Sequence, residues 1–271
     1  MGSACLYQLA KRGASVLGLE QFDIAHALGS SGGISRQTKV MPYLGGRYEP
    51  LIRRANENWQ TLEKGAQIRA QEAVTDWSTD ENSVAVTTNR GKYRAKHLVL
   101  AAGAWNAKLV PQLRGKLHVT RLSLGWFAPE TPAAFSVDRF PIWLHGAYYG
   151  FPVLPDFPGF KVAKHWRGAP TDPDNVDRTL NAADEQLVRS YVERHLPSTN
   201  GSVLAFKVCM YTNGGPWLGP LPGEKRVTFI AACNGGGFKF SSAYGEALAD
   251  LATEGRTELS VDFMALSAVR K

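Results

Sequence analysis

A chain of 271 residues with 44% hydrophobic and 20% charged residues has ordinary globular composition, enough for one large core or two smaller ones. No run of about 18 apolar residues occurs, which excludes a predicted membrane span, and Lys11 and Arg12 interrupt the opening stretch where a secretory leader needs unbroken apolar residues, so a cytoplasmic location is expected. The net charge of +7 comes from scattered Lys and Arg without a zinc-finger or RNA-binding signature; nucleic acid is therefore not the expected partner, and small anions such as carboxylates and phosphates are.

In chain order, residues 3–12 read as an amphipathic helix closed by Gly13, and ASVLGLE follows as a short apolar strand ending in Glu20. In a doubly wound sheet another strand and a glycine turn come before such a helix, and neither is found ahead of Gly2. Residues 29–33, GSSGG, read as a loop, and 49–64 as a helix with Leu51, Ile52, Ala55, Trp59 and Leu62 apolar. Residues 67–77 and 83–88 read as strands, with Asn89-Arg90-Gly91 a turn between strands. HLVLA, 97–101, is a buried strand that Ala102-Gly103-Ala104-Trp105 leaves sharply. Residues 111–204 are richer in Pro and aromatics and predict several short strands alternating with loops, then a helix over 181–195. An apolar strand over 227–233, a glycine turn at 234–237 and a helix over 241–253 close the chain.

Four places carry possible chemistry. Gly2, the helix after it and Glu20 have the spacing of the last fingerprint glycine and the ribose-binding acid of a dinucleotide site, and equally suit a plain helix start with a solvated acid. Ala102 and Gly103, leaving a buried strand, allow close backbone approach to a cofactor or make a tight exit. Asn234-Gly235-Gly236-Gly237-Phe238-Lys239 places N–H groups and a cation at a helix start, an arrangement that binds anions. Cys209, by residue type alone, is a small core residue. Cys5, Cys209 and Cys233 form neither a metal-ligand spacing nor a disulfide framework, so no metal is expected.

Cys209-Met210-Tyr211-Thr212 with Gly237-Phe238-Lys239-Phe240-Ser241-Ser242 closely resembles the C-terminal half of the monomeric sarcosine oxidase family, which includes N-methyltryptophan and pipecolate oxidases. Tyr7-Gln8-Leu9-Ala10-Lys11, Gly29-Ser30-Ser31 with Arg36, Gly103-Ala104-Trp105-Asn106, Tyr148-Tyr149-Gly150-Phe151-Pro152, Gly159-Phe160-Lys161 and Asp172-Pro173-Asp174 fall in that family's order. The resemblance implies FAD, bonded covalently through the Cys209 sulfur. It implies that Lys161 lies near flavin N5 and promotes reaction with oxygen, and that Lys239 and Lys39 grip a substrate carboxylate. Lys39 stands where many relatives have Arg, which keeps the charge and loses the fork. His165 and Tyr149 would line the substrate pocket. Arg36 would lie near the flavin, and Gly2, Glu20, Ser30, Val74, Gly103, Gly236, Gly237 and Phe238 would complete the cofactor contacts. The chain departs from the family at Gly32 and Gly236, which replace histidines, and between Lys64 and Ala66, where a long segment is missing.

The resemblance therefore implies an α/β protein. A Rossmann-like FAD-binding domain, 1–114 with 216–271, would carry an inserted α+β substrate domain, 115–215, built on a mixed sheet. It would oxidise the secondary amine of a small N-alkyl amino acid to an imine, using molecular oxygen and releasing peroxide, and would act as a monomer. Two competing classes stand beside this: an impaired family member that binds flavin without turnover, and a basic nucleic-acid module; a flavin dehydrogenase with another acceptor is a narrower variant.

Overall fold

The computed structural model describes residues 1–31, 34–36, 46–60, 67–165 and 168–266. It divides into two compact units: Met1–Gly32, Arg36–His118 and Thr212–Lys271 form the first, Gly33–Ser35 and Val119–Tyr211 the second.

The first unit opens with α1 (Gly2–Lys11), which buries Ala4, Cys5 and Leu6. Gly13, at φ +78, takes the left-handed turn that ends it. Strand β1 (Leu17–Leu19) is followed by α2 (Glu49–Gln60), and β1 pairs in parallel with β2 (Gln67–Arg69). The strand expected over 67–77 is interrupted. Gln71 turns into the left-handed region at φ 54, and its N–H goes to the Phe22 carbonyl at 2.8 Å rather than to a ladder. The strand resumes as β3 (Val74–Thr79), which makes an antiparallel meander with β4 (Val84–Thr88) and β5 (Lys92–Ala95). Buried Glu72 ties this meander together, accepting from Tyr93 Oη at 2.5 Å and Thr88 Oγ1 at 2.7 Å. Strand β6 (Leu98–Leu100) leads through Gly103, at φ +54, to the short α3 (Asn106–Leu109).

The second unit is a six-stranded sheet. Its strands are β7 (His118–Phe127), β8 (Trp143–His145), β9 (Tyr148–Phe151), β10 (Phe160–Lys164), β11 (Ala169–Pro170) and, after helix α4 (Ala182–His195), β12 (Val203–Asn213). The order is β11-β7-β10-β9-β8, with β12 also pairing β7. Short strands were expected over 111–204, but β7 there runs for 10 residues; β12, of 11 residues, lies almost wholly beyond that span. Alternation splits the sheet into two faces. Phe127, Phe160 and Val162 meet Val188, Tyr191 and Val192 of α4 on one face. The other face carries Leu122, Leu124, Trp126, Ala163, Cys209 and Tyr211. Helix α4 starts with a capping box between Asn181 and Asp184. The Asp184 carboxylate also receives a two-pronged grip from Arg121, at 2.6 and 2.7 Å.

The chain then completes the first unit with β13 (Trp217–Leu221), β14 (Glu224–Ala231) and α5 (Ser241–Glu254). Strands β13 and β14 form a hairpin, and β14 lies parallel to β6 with Val227 opposite Leu98. Strand β14 begins at Glu224, earlier than its apolar run, because the hairpin supplies ladder partners to polar residues. Helix α5 packs against α1 so closely that a Cβ on Gly245 would stand 2.5 Å from the Ala4 Cβ. Among the described residues no helix is long and apolar enough to cross a membrane, and no group of three or more His, Cys, Asp or Glu could hold a metal.

Candidate active site

The candidate residues fall in both units. In the second unit they share the sheet face opposite α4. Cross-strand register puts Lys161 between Phe151 and Trp126, and Ala163 between Tyr149 and Leu124. Lys161 is only 2% exposed. Its Nζ lies 4.2 Å from the centre of the Phe151 ring, 5.4 Å from Trp126 and 5.5 Å from Tyr149, so aromatic faces take the place of much of its water. His165 follows β10. Its Nδ1 lies 3.0 Å from Tyr211 Oη, and its ring meets Tyr149 edge-on at 5.9 Å. Cys209, 6% exposed, lies two residues before Tyr211 and in the same packed cluster; its thiol donates to the Met210 carbonyl at 3.5 Å. The sequence reading singled out Cys209, Lys161, His165 and Tyr149 and missed Tyr211. The signal was present, since a residue two along a strand from a candidate shares its face.

In the first unit, Lys239 stands in a 3-10 turn at the start of α5, 6% exposed. Its ammonium donates to the Gly236 carbonyl at 2.9 Å and lies 5.5 Å from the Phe240 ring centre. Gly237 must be glycine, because a Cβ there would come within 2.5 Å of the Cys233 Cβ. Burial pushes the Cys233 thiol up to about 11 and the Cys5 thiol up to about 12, so both favour the protonated form near neutral pH. The Arg36 guanidinium donates to the Ser30 carbonyl at 3.4 Å and lies 6.0 Å from the Phe238 ring centre, against the Lys239 turn. Lys39 lies outside the described residues, as does Gly32.

The first unit also offers a surface suited to a dinucleotide. The first turn of α1 has no side-chain cap and no acidic residue, so its N–H groups suit an anion. A Cβ on Gly2 would be 3.4 Å from the Ala101 Cβ, so the helix start is close to the end of β6. Glu20 follows β1 with its carboxylate half-exposed, accepting the Phe22 N–H at 3.0 Å and lying 3.4 Å from His26 Nε2. Its backbone is held by Arg69 and Glu72. Val74 opens β3 opposite Thr88, and Gly103 supplies the left-handed exit from β6. A helix start open to pyrophosphate and an acid for ribose hydroxyls fit FAD.

The fold is a mixed α/β one. It is shared with L-proline dehydrogenase from P. horikoshii (TM-score 0.77, 16% identity, 97% of this chain and 93% of that one). It is shared also with NikD, an amino acid oxidase of nikkomycin biosynthesis (TM-score 0.74, 18% identity, 97% and 93%). Residues 60–251 match the DAO family, FAD dependent oxidoreductase, and the chain belongs to that family. It is 33% identical over 214 residues to a monomeric sarcosine oxidase of Bacillus sp. (strain NS-129), covering 75% of this chain and 55% of the relative. With the N-methyl-L-tryptophan oxidase of Escherichia coli O157:H7 it shares 27% identity over 214 residues, 72% of this chain and 53% of the relative. Each of those two alignments spans only about half of the relative. A second monomeric sarcosine oxidase, from Bacillus sp. (strain B-0618), aligns over 364 positions at 27% identity, covering 98% of this chain and 93% of the relative. At least 93 of those positions have no residue of this 271-residue chain opposite them.

Proposed function

We propose that the protein is an FAD-dependent oxidase of secondary amines, acting on small N-alkyl amino acids and using molecular oxygen. The observation that carries this reading is the buried Lys161 ammonium among three aromatic rings, on the sheet face that also bears Cys209, Tyr211, Tyr149 and His165. Membership of the FAD-dependent family and the sarcosine and N-methyltryptophan oxidase relatives support it. In this reading the first unit is the FAD-binding domain and the second the substrate domain. FAD, when bound, supplies hydride acceptance from the carbon next to nitrogen and passage of the electrons to oxygen. The chain's own part is placement and charge. Gly2, with the uncapped turn of α1, would hold the pyrophosphate; Glu20 would take the ribose hydroxyls; Ser30, Arg36, Val74, Gly103, Gly236, Gly237 and Phe238 would make further contacts. Lys239, with Lys39, would hold the substrate carboxylate. Tyr149 and His165 would wall the amine, with Tyr211 fixing the imidazole by the hydrogen bond at its Nδ1. Lys161 would place a fixed cation where oxygen takes up charge.

Covalent attachment at Cys209 has a simple test. Acid-precipitated protein should remain yellow, and Cys209→Ser should release the colour into the supernatant. A wild type that releases all its flavin rules the bond out while leaving FAD binding intact. Carboxylate recognition is tested by Lys239→Met. Losing a charge-assisted hydrogen bond worth roughly 1.5–3 kcal/mol should weaken binding of an N-methyl amino acid at least about tenfold. Unchanged binding, titrated by flavin absorbance, removes Lys239 from that role. A second reading, flavin binding without turnover, is favoured by the unmatched positions of the longer alignment. A yellow protein that consumes no oxygen with any N-methyl amino acid would favour it, and failure to reduce an artificial electron acceptor as well would separate it from a dehydrogenase.

A further inference from the structure

We propose that Asn234 is a positioning residue that aims the Lys239 ammonium through the Gly236 carbonyl. This rests on the reading of Lys239 as the carboxylate anchor. The segment after β14 has an unusual backbone: Ala232 at φ 59, Asn234 at φ 49 and Gly235 at φ 74 all lie in the left-handed region. Alanine enters that region at a cost, and such backbone persists only where its surroundings hold it. The hold is visible at Asn234. Its N–H donates to the Thr212 carbonyl at 3.1 Å. Its Oδ1 accepts the Gly214 N–H at 3.1 Å, and its Nδ2 donates to the Gly215 carbonyl at 2.5 Å. The carboxamide has one orientation that satisfies both partners, because an amide N–H only donates and a carbonyl only accepts.

The loop continues directly from that clamp to the lysine. The Gly236 N–H donates to the Cys233 carbonyl at 2.8 Å, and the Gly236 carbonyl accepts from Lys239 Nζ at 2.9 Å. One of the three ammonium donors is thus committed to a carbonyl two residues beyond Asn234. Without the clamp, three consecutive glycines would set the direction of that carbonyl, and glycine restricts it little. A glycine at 234 would suit the left-handed φ as well as asparagine does. The carboxamide, and not the backbone shape, is therefore what asparagine adds here.

The test is Asn234→Gly, which removes the clamp while easing the φ. Sarcosine and its carboxamide are compared as substrates, with calorimetric titration of acetate as a measurement independent of turnover. The expected result is a KM for sarcosine, and a Kd for acetate, raised about tenfold or more. The kcat and the KM for the carboxamide should stay within a few-fold. Equal losses on both substrates mean a merely structural role and overturn the proposal, as does no change on either. Should the glycine variant not fold, Asn234→Ala removes both carboxamide bonds without adding charge. It should show the same selectivity, and its absence overturns the proposal as well. Lys239→Met run in parallel separates the two ideas. If that variant fails to discriminate sarcosine from its carboxamide or to weaken acetate, the carboxylate reading falls and takes this one with it. If it discriminates and the Asn234 variants do not, only the positioning role is lost.

Discussion

Replacing Lys161 by methionine is expected to slow reoxidation of the bound flavin by oxygen by about three orders of magnitude, while anaerobic reduction by substrate stays within a few-fold. Oxygen becomes an anion on taking its first electron, so a fixed cation close by lowers that barrier. A unit charge about 4 Å away is worth about 4 kcal/mol at an effective dielectric of 20, which is about a thousandfold in rate. The shielding of Lys161 by Phe151, Trp126 and Tyr149 keeps the interaction from being spread into water. Hydride leaves a neutral amine, and the same cation affects that step less. Methionine keeps much of the stem's contact with the rings and removes only the charge. Stopped-flow measurement of the two half-reactions decides the matter. Equal slowing of both would point to lost flavin or a damaged fold, and no slowing of either would remove Lys161 from oxygen chemistry.

Asp184→Ala is expected to cost the second unit about 3–5 kcal/mol. One carboxylate does two jobs there. It receives both prongs of Arg121 and closes the capping box of α4. Arg121 keeps its bonds to the Asp177 and Thr179 carbonyls at 2.7 and 2.9 Å, but its charge would be left poorly compensated in a largely buried place. Breaking a buried pair by deleting one partner typically costs about 3–5 kcal/mol; the Asn181 cap itself survives, because it accepts the backbone N–H of residue 184. The pH dependence has a definite sign. Arg121 holds the Asp184 carboxyl below the usual carboxylate range. The stability it contributes is therefore present above its unfolded pKa of about 3.9 and is lost as pH falls through the lower folded value. Denaturant unfolding at neutral pH and across the acid range measures both effects. A loss below about 1 kcal/mol at neutral pH, or an unchanged acid slope in the variant, would show that the pair contributes little.

What could be read in advance follows the range of the forces involved. Helix α4 lies close to its expected bounds because Asn181 and Asp184 are local signals, and α5 because Gly255, at φ 72, ends it where its apolar spacing ends. Strands β7 and β12 were harder to see at full length. Their polar residues are held by ladder partners far along the chain, and no local pattern marks those. Gln71 broke an expected strand for the same reason, since its N–H finds Phe22, a residue just past β1 and far earlier in the chain. The sheet face of the second unit shows the same division. Lys161, His165, Tyr149 and Cys209 could be named from motifs, but Tyr211 meets His165 across 46 residues of chain.

The amino-acid order by itself determined the residue types that carry charge and sulfur, the glycine turn at 234–237, the family likeness and the local starts and stops of α4 and α5. Those depend on neighbours within a few positions. Tertiary structure alone decided that Lys161 would be sealed among aromatic rings, that the Cys233 thiol would be pushed toward its protonated form and that Asn234 would clasp Gly214 and Gly215. Each depends on burial or on partners brought together by folding. Side-chain chemistry is set by the residue, but its charge state and direction are set by what the fold packs against it.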